Sequence, residues 1–128
     1  MNSENLNEFA ERYAKAWCSN NPEAVAAFYA PNASISVNNG APTPMAEVAR
    51  NFMRDFPDMI VTVDKLEPRK DQTIFHWTLT GTYAGTGNHV QISGYELWKI
   101  NDAGLITESN GHFDTAEYER QVSGTPAL

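Results

Sequence analysis

Cysteine is nearly missing from this chain. Cys18 stands alone among 128 residues, so no internal disulfide can form and packing must hold the fold. There is no uninterrupted apolar run of about 18 residues, which argues against a membrane-spanning helix. Positive charge is scarce: nine Lys and Arg stand against sixteen Asp and Glu, for a formal net charge of −7. Nucleic acid and anionic membranes reward clustered positive charge, so neither is expected as a partner. Histidine is also sparse, with three copies, and no spacing of His, Cys and carboxylates suggests a metal site. No metal or organic cofactor is expected. Cys18 has no neighbouring His to activate it as a nucleophile. "GTGN" at 85–88 lacks the strand-to-helix setting and full glycine pattern of a phosphate loop, and reads as a turn. The opening "MNSENLNEFAERYAKAW" has no basic start followed by an apolar run, so no signal peptide is expected, and a cytoplasmic setting is the default.

What is present is an ordinary globular composition, 41% hydrophobic and 20% charged. The length suits one domain, expected over 1–122, with a loose tail "SGTPAL" at 123–128. Leu6, Phe9, Ala10, Tyr13, Ala14 and Trp17 recur at three- and four-residue steps, predicting an amphipathic helix capped by Asn5 with Glu8. Asn21 and Pro22 open a second helix carrying Val25, Phe28 and Tyr29 on one face. "ASISV" is a short strand. A third helix starts at Thr43 and Pro44, carries Met45, Val48, Ala49, Phe52, Met53 and Phe56, and ends at Pro57. From Met59 the period changes to two. Four strands follow, "MIVTVDKLE", "TIFHWTLTGTY", "HVQISGYELWKI" and "LITESNGHF", joined by short turns that imply antiparallel neighbours. A closing helix runs from Thr115 to Val122. Helices segregated from an antiparallel sheet mean an α+β fold.

Several words sharpen that reading: "FPD" at 56–58, "WTLTGTYAG" at 77–85, "SGYELWKINDAGLITE" at 93–108 and "HFDTAEYERQV" at 112–122. Together they resemble the polyketide cyclase-like (SnoaL-like) branch of the nuclear transport factor 2-like superfamily. The resemblance implies a cone-shaped, curved antiparallel sheet wrapping the N-terminal helices (a cystatin-like roll), a deep apolar pocket and a homodimer. Relatives include cyclases, ketosteroid isomerases, epoxide hydrolases and dehydratases, as well as non-catalytic ligand-binding or association modules. In the cyclases the aspartate of the final "FD" word acts as acid or base, a role that maps onto Asp114. Two departures, the short "YAGTGNHV" loop and Asn110 where many relatives carry Trp, argue against a bulky polyketide.

Asp114 therefore has two readings. Strand alternation places Ile106, Glu108, Asn110, His112 and Asp114 on one face, which could line a polar strip of the pocket. Asp114 would then move a proton and His112 would assist, since histidine relays protons near neutral pH. Alternatively "DTAE" is a helix cap with Glu117 three residues on. Glu96 interrupts the apolar row Val90, Ile92, Trp98 and Ile100, and buried carboxylates are costly unless paired, so it is the third candidate. Tyr13, Trp17, Tyr29, Met53, Phe56, Trp77, Trp98 and Asn110 are the candidate ligand contacts. Tyr13 could offer its hydroxyl to a carbonyl and Asn110 could polarise an oxygen. His76 is expected to face solvent or a second subunit, and His89 a solvated turn. The expected activity is cofactor-independent acid–base chemistry on a small apolar, carbonyl-bearing ligand: isomerisation, cyclisation, dehydration or hydrolysis. The other reading is a dimeric binding or association module.

Overall fold

The computed structural model describes residues 3–124, so 125–128 of the expected tail lie outside the described residues. Helix α1 spans Ser3–Trp17 and buries Leu6, Phe9, Ala10, Tyr13, Ala14 and Trp17, the stripe that the periodicity predicts. It packs across the sheet strand β3, Ile60–Pro68. Asn5 lies inside α1 rather than at its cap, because the helix is already under way at Ser3. Helix α2, Pro22–Ala26, opens as expected: Asn21 Oδ1 accepts the Glu23 N–H at 3.1 Å and Pro22 fills the first turn. It is shorter than expected. Phe28 and Tyr29 leave it, and strand β1 runs Tyr29–Val37, well before "ASISV". Thr43–Pro44 form a two-residue strand, β2, and helix α3 follows at Met45–Asp55 with Met45, Ala49 and Met53 buried.

Strands β4 (Thr73–Thr82), β5 (His89–Ile100) and β6 (Ile106–Phe113) continue the antiparallel meander from β3. The six-stranded sheet has the order β2-β1-β6-β5-β4-β3, so it is open, with β2 and β3 at its edges. This is the expected α+β roll. One pairing was not legible in the local pattern: β1 lies parallel to β6. Parallel neighbours cannot be joined by a tight turn, and here five elements, from β2 to β5 in chain order, separate them. Helix α4, Thr115–Ser123, closes the chain and packs against β5. It takes in Ser123, and Gly124 ends it with a left-handed φ of 74°, which glycine adopts without strain. Among the described residues, no helix is long and apolar enough to cross a membrane.

Irregularities shape the interior. The register of β3 on β4 slips between Val63 and Lys65, leaving Asp64 extra, and that of β6 on β5 slips between Glu108 and Ile106, leaving Thr107 extra. Such bulges bend a sheet and increase its twist. The inserted residue also reverses the alternation, because side-chain period is two. Ile106 is fully buried, yet beyond Thr107 it is Ser109 and Gly111 that are buried. The face expected from unbroken alternation is thereby corrected: Asn110, His112 and Asp114 are on the outside of the sheet.

Gly94 of β5 makes room for the β6 backbone on one side and the Trp77 indole of β4 on the other. A Cβ there would stand 2.3 Å from the His112 carbonyl oxygen and 2.6 Å from Trp77 Cζ2. Gly94→Ala should therefore destabilise the protein by about 1–3 kcal/mol in urea unfolding, the usual range for overpacking. A stability equal to the parent would show that these strands separate freely.

Candidate active site

Glu96 is the centre of the buried interior, although it carries an ionisable group; its exposure is 6%. Its phase along β5 puts it on the same side as Val90, Ile92 and Trp98, all buried. Four elements supply its surroundings. From α1, the Tyr13 hydroxyl donates to the carboxylate at 3.2 Å from Oε1 and 3.1 Å from Oε2. From β5 itself, Trp98 Nε1 donates to Oε2 at 2.6 Å. From β6, the Ser109 hydroxyl donates to Oε2 at 3.2 Å. From β1, the Tyr29 hydroxyl lies 3.1 Å from that of Tyr13. The two oxygens are thus unequal. Oε2 has three donors, whereas Oε1 has only a shared one.

Rings hold these donors in place. Phe75 stacks on Trp98 at 4.7 Å between centroids, and Tyr13 meets both edge-on at 5.5 and 5.1 Å. Burial pushes the Glu96 carboxyl up from 4.5 to about 7, against the opposing pull of the hydrogen bonds from Trp98, Tyr13 and Ser109. Burial, then the nearby Glu96 charge, holds the Tyr13 hydroxyl well above its ordinary value, and Tyr29 follows for the same reasons. Both therefore stay protonated as donors at neutral pH.

A cavity of about 50 Å³ adjoins Glu96. It is lined by Trp17 of α1, Ile35 and Val37 of β1, Val48 and Phe52 of α3, Val61 of β3, Phe75, Trp77 and Leu79 of β4, and Gly111 and Phe113 of β6. Glu96 is the one ionisable side chain in that lining, among the described residues. Gly111 pairs directly with Glu96 across β5 and β6, and its missing side chain leaves space beside the carboxyl. Trp77 belongs to the same wall. Its Nε1 is buried and has no hydrogen-bond partner, an omission that costs roughly 1–3 kcal/mol in general.

The structure brings together Glu96, Tyr13, Tyr29 and Trp98 as one hydrogen-bonded group, and Trp17 and Trp77 as cavity wall. Met53 and Phe56 are buried in the core without lining the cavity. Asp114 is exposed and caps α4, its Oδ1 accepting the Glu117 N–H at 3.1 Å. Glu117 does not reach back to complete the box; it binds Arg120 at 2.6 Å. His112 is half-buried against Tyr95, 5.1 Å between ring centroids, and with Asp114 borders an open outer groove. Asn110 pairs with Leu97 on that same outer side. His76 also faces outward and meets Glu67 at 2.7 Å. Sequence reasoning missed Ser109, Gly111 and Phe113 because Thr107 shifts them inward. Among the described residues, no group of three His, Cys, Asp or Glu side chains is placed to hold a metal ion.

The sequence pattern of the SnoaL-like domain matches residues 10–109. The chain belongs to the SnoaL-like domain family. No curated protein matches it. Among solved structures, AclR from Streptomyces galilaeus is similar to it at 16% identity and a TM-score of 0.82, covering 98% of this chain and 100% of that one. A Catenulispora acidiphila protein with a ketosteroid isomerase-like fold, solved with trimethylamine, is 18% identical over 93% of this chain and 94% of that one, with a TM-score of 0.81. A protein from Jannaschia Sp. CCS1 described as a SnoaL-like polyketide cyclase is 18% identical over 97% of this chain and 94% of that one, with a TM-score of 0.76. At these identities the likeness is one of fold. In this SnoaL-like domain the interior of the roll holds Glu96, and the "FD" aspartate stands outside it.

Glu96 should leave a signature in stability. Its folded value lies above its ordinary one, so the unfolded chain loses the proton first as pH rises. The folded state is then penalised progressively between about pH 4.5 and about pH 7, by up to about 3 kcal/mol, and no further above that. Glu96→Gln should remove this loss. Compared by urea unfolding at pH 5 and pH 8, the variant should gain on the parent at pH 8; equal pH dependence in both would show that Glu96 does not titrate there.

Proposed function

We propose that the chain is a cofactor-independent enzyme that moves a proton on a small, apolar, carbonyl-bearing molecule, with Glu96 as the proton carrier. The observation that carries this reading is a buried carboxyl, poised near neutrality, in the wall of an otherwise apolar cavity. A general base works best when its pKa is near the working pH. In its carboxylate form Glu96 takes a proton from the carbon beside the carbonyl, through the less engaged Oε1, and the electron pair of that C–H bond passes to the carbonyl oxygen as an enolate. Returning the proton to the same carbon completes exchange; returning it to a conjugated carbon completes isomerisation. Tyr13 donates to the carboxylate and releases it as the proton arrives, with Tyr29 next in line. Under this proposal Asp114 is a helix cap and His112 an outer-face residue.

The second reading is binding without chemistry. Its support is Oε2, whose three donors would equally suit a fixed structural carboxylate.

Deuterium exchange beside the carbonyl of small cyclic ketones, followed by proton NMR, separates the two. Turnover should rise with pH through about 7 and then level off, because the carboxylate is the base. Glu96→Gln should lower it by roughly 10²–10⁴-fold, the usual contribution of a positioned base. Asp114→Asn, which still caps, should keep both turnover and melting temperature. Binding without exchange favours the second reading, and exchange lost in Asp114→Asn alone returns the role to Asp114.

We further propose a homodimer through the outer sheet face. Tyr95 is 39% exposed at its middle, beside the rings of His76 and His112, and Ile60 is 55% exposed on β3. Sedimentation should show a dimer for the parent and a monomer for Tyr95→Glu; a monomeric parent would remove this element.

A further inference from the structure

The cavity beside Glu96 has a buried floor and a half-buried rim. Trp17, Ile35, Val61, Phe75 and Leu79 of its lining are buried. Val37, Val48, Phe52, Trp77 and Phe113 keep some exposure. Val37 and Phe113 are the last residues of β1 and β6, and Val48 and Phe52 stand one turn apart on α3, which packs against β1. The cavity therefore meets solvent where these strand ends face α3. Phe52 and Phe113 touch there edge-on, 6.5 Å between ring centroids.

The two rings are held differently. Phe113 also meets Trp77 at 6.1 Å and Tyr118 at 5.4 Å, and its backbone N–H donates to Asn38 Oδ1 at 2.9 Å. Phe52 meets Trp17 edge-on at 6.1 Å. Its neighbours Ala49 and Met53 carry the buried face of α3, so the Phe52 ring flanks the core rather than filling it. It can be shortened without touching the donors of Glu96. Volume then decides what enters. The cavity is about 50 Å³, whereas an apolar cavity that holds benzene is about 150 Å³. A six-membered ring does not fit unless packed side chains are displaced, which is costly. Removing the Phe52 phenyl ring deletes from the wall a group of the size in question.

We propose that Phe52 is the specificity-determining residue of this cavity: its ring restricts the ligand to short acyclic and small-ring carbonyl compounds and excludes six-membered rings. This rests on the cavity being the ligand site, as in the proposed function, but not on Glu96 moving a proton.

The test compares the affinities of cyclobutanone and cyclohexanone, read from NMR titrations of ¹⁵N-labelled protein. Apolar burial alone favours the larger ketone, which has two more methylene groups. The parent should instead prefer cyclobutanone, by about 10-fold or more, since a pocket that is short of room rejects added methylenes to at least that degree. Phe52→Ala should reverse the order. Phe52→Leu, which keeps the helix face apolar, should narrow it, and carries the test if Phe52→Ala does not fold. Glu96→Gln should keep the parent's order whether or not exchange is lost, so failure of the proton-carrier role leaves this inference standing. A parent that binds cyclohexanone at least as tightly as cyclobutanone, or Phe52 variants that keep the parent's order and ratio, would overturn it even where Glu96-dependent exchange is intact. Binding of neither ketone to the parent removes the ligand site, and this inference with it.

Discussion

A carboxyl group taken out of water sets the terms for the rest of this molecule. Unpaired, an ionised Glu96 would be prohibitively costly in an apolar interior. Its donors come from separate parts of the chain: Tyr13 from the first helix, Trp98 from its own strand, Ser109 from the last strand, with Tyr29 of the first strand behind Tyr13. Satisfying one side chain thus requires α1, β1, β5 and β6 to be in place together. Partial assembly leaves a buried charge short of partners, so the polar group penalises incomplete packing even if it adds little net stability.

The same arrangement leaves the site asymmetric. Donors crowd Oε2, aromatic rings fix those donors, and Glu96 also lines a cavity whose lining is otherwise apolar. Burial and hydrogen bonding oppose one another at Glu96, and burial prevails, which brings the group to about 7. Gly111 and Gly94 serve the space in different ways. The first withholds a side chain beside the carboxyl, and the second lets the Trp77 indole seat against the backbone. A functional interior here is a matter of omitted atoms as much as of placed ones.

Much of the architecture could be read from local pattern. The α1 stripe, the Asn21–Pro22 helix start, the switch to period two at Met59 and the four meander strands all follow from nearest-neighbour chemistry, and the structure has them within a few residues. The errors are at places where tertiary contacts overrule local preference. Phe28 and Tyr29 continue a helical spacing, yet Phe28 lies in a turn and Tyr29 opens a strand, because β6 offers a parallel partner that no local signal announces. Glu96 stood out as a charge in an apolar row, and that anomaly was real. Tyr13, Trp98 and, behind Tyr13, Tyr29 are among the aromatic candidates that the sequence offers, whereas Ser109 is not legible there.

Composition and periodicity by themselves determined the α+β class, the order of elements, the apolar stripes and the suspicion attached to Glu96, since each depends on residues close together in the chain. The tertiary structure alone decided which face of β6 looks inward. One extra residue, Thr107, breaks the alternation, so Ser109 and Gly111 turn inward while His112 and Asp114 turn away. A bulge is fixed by how two distant strands pair, not by the strand's own sequence, and with a period of two a single residue is enough to exchange the inside of a sheet for its outside.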